Sequence, residues 1–236
     1  MKAVVLAGGR GTRLRPLTFS VPKPLLPIDE KPILEIILTN FRKYNITEII
    51  ISIGYQGELI KAFCGDGSKF GLSIKYVNEE EALGTAGPLS LMKEYFSKGE
   101  KFILMNGDIF TQLDFASMID YHNKGGYCMT VGYRLYDNKL PFGVLQLEDN
   151  KLQSIIEKPC TKYNVSAGIY IIDESVINLV PDNSFFTIPE LVNKLLEAKH
   201  TIGAYLIKEY WLGIENVDHF EEAIKELNKL ETFVEK

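Results

Sequence analysis

The sequence predicts an α/β fold: a three-layer domain with helices on both faces of a mixed, mostly parallel central sheet. Short aliphatic and β-branched runs alternate with helix-period apolar patterns through the first half, the rhythm of parallel strands joined by crossover helices. Beyond residue 128 one strand-like run follows another, so the second half adds strands that make the sheet mixed. Turns rich in Gly, Asn and Asp follow several of these runs, and ligands of such sheets sit beyond the carboxyl ends of the strands.

Taken in order, Val4-Val5-Leu6-Ala7 is a strand that runs into a turn with Gly8, Gly9 and Gly11. Lys31-Pro32 opens a helix, because Pro suits the first helical position and Ile33, Leu34, Ile37, Leu38 and Phe41 fall on one face. Residues 49–53 read as a buried strand, 55–63 as a helix, 72–77 as a strand, 85–96 as a helix and 102–105 as a strand. A helix over 115–121 precedes strands near 128–133, 143–147, 152–157 and 165–171. Residues 188–198 are helical and 202–207 form a strand. A last helix over about 217–231 carries Phe220, Ala223, Ile224, Leu227 and Leu230 on the face that packs on the domain.

Composition narrows the function. With 236 residues, 46% hydrophobic and 24% charged, the chain fits a single domain over 1–236 with a sizeable core. The net charge of −5 and the lack of a basic run argue against a nucleic-acid or membrane-surface partner. No charged-then-apolar leader opens the chain and no apolar run is long enough to span a bilayer, so a cytoplasmic location is expected. Cys64, Cys128 and Cys160 are odd in number and far apart, which disfavours disulfides or zinc and predicts free thiols in the core. His122, His200 and His219 are scattered and read as structural or exposed. Association into a homo-oligomer is left open.

The chemistry starts in the first turn. Glycines let the main chain bend sharply and come close to a ligand, and successive N–H groups in such a turn make a hollow for an anion. Arg10, Arg13 and Arg15 follow, and a guanidinium fork matches phosphate oxygens. A phosphate site is the reading. No Gly-Lys-Ser/Thr ends the loop, so it is not a Walker loop, and Leu14 stands where a dinucleotide fingerprint wants Gly or Ala. Asn106-Gly107-Asp108 is a second candidate: a carboxylate on a tight turn at a strand end suits Mg²⁺.

Gly8-Gly9-Arg10-Gly11-Thr12-Arg13-Leu14-Arg15-Pro16-Leu17-Thr18, followed by Pro22-Lys23-Pro24-Leu25-Leu26-Pro27, resembles the signature of the sugar-1-phosphate nucleotidylyltransferases. The resemblance runs to about Lys225 and implies a Rossmann-like three-layer fold of the nucleotide-diphospho-sugar transferase type. It also implies that no added regulatory or acyltransferase domain follows. The implied substrates are a nucleoside triphosphate and a sugar 1-phosphate, with Mg²⁺ as cofactor, and the implied role is sugar activation for a cell-surface polysaccharide or glycan.

The resemblance assigns residues to roles. Leu6, Ala7, Gly8, Gly9, Gly11, Thr12 and Arg13 would take the nucleotide, and Asp108 the catalytic Mg²⁺. Lys23 and the lysine of Glu157-Lys158-Pro159 would align the sugar phosphate, which makes Arg13, Lys23, Asp108 and Lys158 the catalytic set. Asn106, Gly143, Glu157, Ser166 and Ala167 would face the sugar, with Ser166 in place of the family's usual Asn. Glu79-Glu80-Glu81-Ala82-Leu83-Gly84-Thr85-Ala86-Gly87 looks like the base-reading loop of mannose-1-phosphate guanylyltransferases, with Gly84 and Thr85 at the nucleotide. Guanine offers a ring N–H beside an exocyclic amine, and one carboxylate accepts from both. GTP is therefore the expected donor, and Glu80 the first carboxylate named for it.

One position departs from the pattern. Trp211-Leu212-Gly213-Ile214-Glu215 matches a family segment whose third residue is a second metal-binding Asp, and glycine has no ligand to give. Mg²⁺ needs only one or two carboxylates, so activity remains the preferred reading, with the ion held either by Asp108, phosphates and water or with Glu215 reaching in from an altered loop. A non-catalytic nucleotide-sugar-binding homologue is the alternative from outside the enzymes. A cytidylyl- or uridylyltransferase acting on another phosphorylated small molecule is the alternative within them.

Overall fold

The computed structural model describes the backbone of residues 1–234 and the side chains of residues 1–229. In chain order the elements begin with β1 (Lys2–Ala7), the short hairpin β2 (Pro27–Ile28) and β3 (Lys31–Pro32), α1 (Ile33–Lys43) and β4 (Glu48–Ile53). Next come α2 (Gly57–Cys64), β5 (Ser73–Asn78), β6 (Lys101–Asn106), β7 (Ile109–Thr111) and α3 (Phe115–Gly125). The second half holds β8 (Met129–Lys139), β9 (Val144–Glu148), β10 (Lys151–Ile156) and β11 (Cys160–Asp173). It closes with α4 (Ile188–Glu197), β12 (Ile202–Leu206), β13 (Trp211–Gly213) and α5 (Asp218–Val234).

Seven strands form the central sheet in the order β12-β8-β11-β6-β1-β4-β5. β1 is parallel to both β4 and β6, β4 to β5, and β8 to β12. Only β11 runs against its neighbours, pairing antiparallel with β6 and β8, so the sheet is mixed and mostly parallel as expected. The central strands β1, β4 and β6 are largely apolar on both faces because both are covered. Along β1, Ala3, Val5 and Ala7 face one core with α1, α2, α3 and α5, while Val4 faces the other with α4. On β6 the same alternation sends Ile103 and Met105 to the first core and Phe102 and Leu104 to the second.

The helix expected over 85–96 runs over Gly87–Tyr95 and is of the 3₁₀ kind. Gly87-Pro88 weakens the start, and Leu89 and Met92, both fully buried, stand three apart, the repeat of the tighter helix. β8 and β11 are longer than the sequence indicated, because their outer ends are exposed and carry no apolar alternation. Of the thiols expected in the core, Cys64 is buried, Cys128 is half-buried and Cys160 is exposed on β11. The exposed end of an arm, not core packing, decides that position. Ala223 of α5 is buried and Phe220, Ile224 and Leu227 pack on the core, while the side chain of Leu230 lies outside the described residues. No helix among the described residues is long and apolar enough to cross a membrane.

Candidate active site

The carboxyl ends of β1, β5 and β6 open onto a cleft of about 360 Å³. Leu6, Ala7, Gly8, Gly9 and Gly11 bring the end of β1 and its turn to it. The 3₁₀ turn Lys23–Leu25 adds Lys23 and Pro24, and the loop after β5 adds Glu79, Ala82, Gly84 and Thr85. Asn106, Gly107 and Asp108 come from the end of β6, and Phe185 from the loop before α4.

Lys23 Nζ lies 2.5 Å from Asp108 Oδ2, a pair that is only part-exposed. Gly8 lies against the Glu79 carboxylate: a Cβ there would stand 2.5 Å from Glu79 Oε1 and push that side chain aside. Glu79 itself is held from two sides. Ser52 Oγ donates to its Oε1 at 2.7 Å, and the Leu83 N–H donates to its Oε2 at 3.2 Å. Burial pushes the carboxyl's pKa above the ordinary value, against the pull of those two hydrogen bonds.

A second cleft, of about 580 Å³, shares Asn106 and Asp108 with the first. A register shift in β11 between Ser166 and Tyr170 turns Ser166 and Ala167 toward it. Trp211 and Gly213 line it from β13, which is brought there by pairing antiparallel with β7. The Ile214 N–H donates to the Asp108 carbonyl at 2.9 Å, fastening the two segments together. Trp211 Nε1 donates to the Ala167 carbonyl at 2.8 Å. Glu215 and His219 line the same cleft, with His219 Nδ1 2.8 Å from the Gly213 carbonyl oxygen and 3.0 Å from the Glu215 nitrogen.

Most of the residues singled out in the sequence converge here. Leu6, Ala7, Gly8, Gly9, Gly11, Lys23, Gly84, Thr85, Asn106 and Asp108 line the first cleft, and Ser166 and Ala167 line the second. Thr12 and Arg13 are exposed beside them, and Arg13 pairs with Glu215. Glu80 is exposed and lines neither cleft; its neighbour Glu79 is the loop carboxylate in the site. Gly143, Glu157 and Lys158 are also exposed and outside both clefts, around the β9–β10 hairpin. Phe185, Trp211 and His219 were not singled out as site residues. Glu79 had a signal, being the first residue past a strand end on the ligand side of the sheet.

The donors suit Mg²⁺. Asp108 offers a hard oxygen ligand where the two clefts meet, and Glu215 lines the second cleft with it. Gly213 contributes no side chain, and no group of three or more His, Cys, Asp or Glu positioned for a metal occurs among the described residues. A Mg²⁺ held here would complete its shell with substrate oxygens and water.

The family model for nucleotidyl transferases matches residues 2–229. The chain belongs to that family. The chain is 32% identical over 224 residues to a mannose-1-phosphate guanylyltransferase of Mycobacterium tuberculosis, covering 92% of this chain and 62% of that protein. It is 30% identical over 243 residues to a UTP–glucose-1-phosphate uridylyltransferase of Synechocystis, covering 95% and 63%. It thus spans about three fifths of the length of the curated relatives it matches. Among solved structures, HddC from Yersinia pseudotuberculosis shares the fold with a TM-score of 0.76 at 24% identity, covering 96% of this chain and 99% of that one.

Proposed function

We propose that this protein joins a nucleoside triphosphate, GTP by preference, to a sugar 1-phosphate, giving an NDP-sugar and pyrophosphate. The observation that carries the reading is the junction of two clefts at Asn106 and Asp108, with Lys23 beside Asp108. A triphosphate on the β1 turn and a sugar phosphate in the second cleft meet at that junction. A phosphate oxygen of the sugar then attacks the α-phosphorus, and the bond to the β-phosphate breaks to release pyrophosphate.

Positioning and charge do the work. The nucleophile is already an anion and needs no strong base. Backbone N–H groups of the Gly8–Gly11 turn cradle the triphosphate, and Lys23 offsets charge gathering at the transferred group. Arg13 exchanges Glu215 for a phosphate. Mg²⁺ on Asp108 would withdraw charge from the α-phosphate.

The preference for guanine rests on Glu79, not Glu80. Each of its oxygens already accepts one hydrogen bond and keeps capacity for another, which suits the adjacent N–H donors of guanine. Similarity to a mannose-1-phosphate guanylyltransferase supports the same choice. Gly213 favours a second reading, nucleotide-sugar binding without turnover.

Pyrophosphate release should be measured with Mg²⁺, crossing GTP, UTP, CTP, dTTP and ATP with mannose-, glucose-, glucosamine- and heptose-1-phosphates. Release that is fastest with GTP is expected. A Gly213→Asp variant belongs in the same assay, since a Cβ at 213 meets nothing closer than the Trp211 ring at 3.6 Å. This variant should reach half-maximal rate at a lower Mg²⁺ concentration. Silence in both proteins, with tight binding of an NDP-sugar, would select the binding reading.

A further inference from the structure

The mechanism leaves unused one large aromatic side chain on the wall of the nucleotide cleft. Phe185 is 66% exposed, yet it lines the same cleft as Glu79, Ala82 and Gly84. A lone exposed aromatic is unremarkable in itself. Here the residues that follow it, Phe186 and Ile188, are fixed to the base-reading loop by a run of hydrogen bonds. The Ala86 and Gly87 N–H groups both donate to the Phe186 carbonyl at 2.9 Å, and the Phe186 N–H donates to the Leu83 carbonyl at 2.9 Å. The Ile188 N–H donates to Thr85 Oγ1, also at 2.9 Å. Two segments about a hundred residues apart in the chain are thus one rigid piece.

Gly84 shows how close the ring lies. Its φ is +80°, and a Cβ there would stand 2.7 Å from the Phe186 carbonyl oxygen and 3.3 Å from Phe185 Cε2. The bare glycine lets the ring rest on the loop, and most of the ring's surface remains uncovered.

We propose that Phe185 is the stacking platform for the nucleobase, a specificity residue that favours purines by the area of its aromatic face while Glu79 reads the base edge. The proposal rests on the nucleotidyl transfer reading and adds to it the residue that holds the face of the base. A flat aromatic wall recognises any base in proportion to its π-surface, so it ranks purines above pyrimidines without choosing between G and A. The choice between those two falls to the edge.

The test is binding and turnover by Phe185→Ala, Phe185→Tyr and Phe185→Trp, each against GTP, ATP and UTP, with inorganic tripolyphosphate as a ligand that has no base. Phe185→Ala should raise the KM for GTP roughly tenfold to a hundredfold, the size of losing one base–aromatic stack, with kcat nearly unchanged. The loss for UTP should be smaller, Tyr and Trp should restore affinity, and the inhibition constant of tripolyphosphate should not move. Melting temperature should also be unaffected, since the ring is largely exposed. Equal affinities of wild type and Phe185→Ala for every nucleotide would overturn the platform. A fall in tripolyphosphate affinity as large as that in GTP affinity would also overturn it, because the loss would then lie in the phosphate loop. A wild type that prefers UTP refutes both the guanine role of Glu79 and the purine preference given to Phe185, and the platform itself then falls unless Phe185→Ala weakens UTP binding. A wild type that binds no nucleotide refutes both.

Discussion

Two regions of this molecule carry candidate site residues, and they are built in opposite ways. In the slab β6-β1-β4 the strands are buried on both faces: five of the six residues of β4 are buried, and on β6 the four between Lys101 and Asn106 are. In the arm formed by the outer ends of β8 and β11 with the β9–β10 hairpin, Leu145, Leu147, Leu152 and Ile155 are all exposed. A two-stranded ribbon has too little core to fix its own position. The residues that converge on the first cleft come mainly from the ends of slab strands, whereas Gly143, Glu157 and Lys158 sit on the arm and line neither cleft. Precision in the candidate site follows from double-sided burial.

The sharpest way to break that comparison is to cut matched side chains from each region. Phe102 is fully buried and stacked on Phe96 with ring centroids 4.3 Å apart, so Phe102→Ala should cost about 3–5 kcal/mol in denaturant unfolding. Leu147→Ala should change stability by less than about 0.5 kcal/mol. Similar losses would mean that the arm's apolar face is covered in solution.

Turnover gives the next largest contrast. Asp108→Asn should lower kcat about a hundredfold or more with little change in KM, whereas Lys158→Ala should lower it less than about tenfold. If the two variants lost activity equally, the arm would take part in the chemistry as fully as the slab.

The smallest effect concerns the cost of keeping Glu79 in the cleft. Burial raises its folded-state pKa above the unfolded value, so the folded protein holds that proton more tightly. The contribution to stability is full below the unfolded value and is lost as pH rises through the raised folded one. Glu79→Gln should therefore melt a few degrees higher than wild type at neutral pH, roughly, with the gap closing toward the ordinary carboxylate range. The same variant should bind GTP more weakly. A wild type that melts higher at neutral pH would show that the ionised carboxylate is fully compensated.

Legibility in the sequence followed burial. β1, β4 and β6 announce themselves as apolar runs ending in turns, and α1 by its apolar spacing, because both patterns are direct imprints of covered faces. The outer ends of β8 and β11 bear no such imprint, and the paired pieces β7 and β13 are too short to show a period. In the site, the glycine turn, Lys23 and Asp108 were readable from motif and resemblance. The choice between Glu79 and Glu80 was not, since in a run of three acids only the fold decides which carboxylate turns inward. Phe185 lay beyond reach as well, because its link to the loop after β5 is made by backbone groups that no side-chain pattern encodes.

The position of β1 in the sheet has a consequence for how the chain acquires its shape. Lys2 pairs with Glu48 on one side and with Phe102 on the other, so the strand that launches the glycine turn is synthesised long before its second neighbour. Until β6 has left the ribosome, one side of β1 is an open edge of Ala3, Val4 and Val5, with nothing to pair against and no Asp108 to meet Lys23. Such non-local parallel pairing is slow to form and prone to association while it waits. In the interval between those two strands the phosphate turn exists as sequence but not yet as a surface.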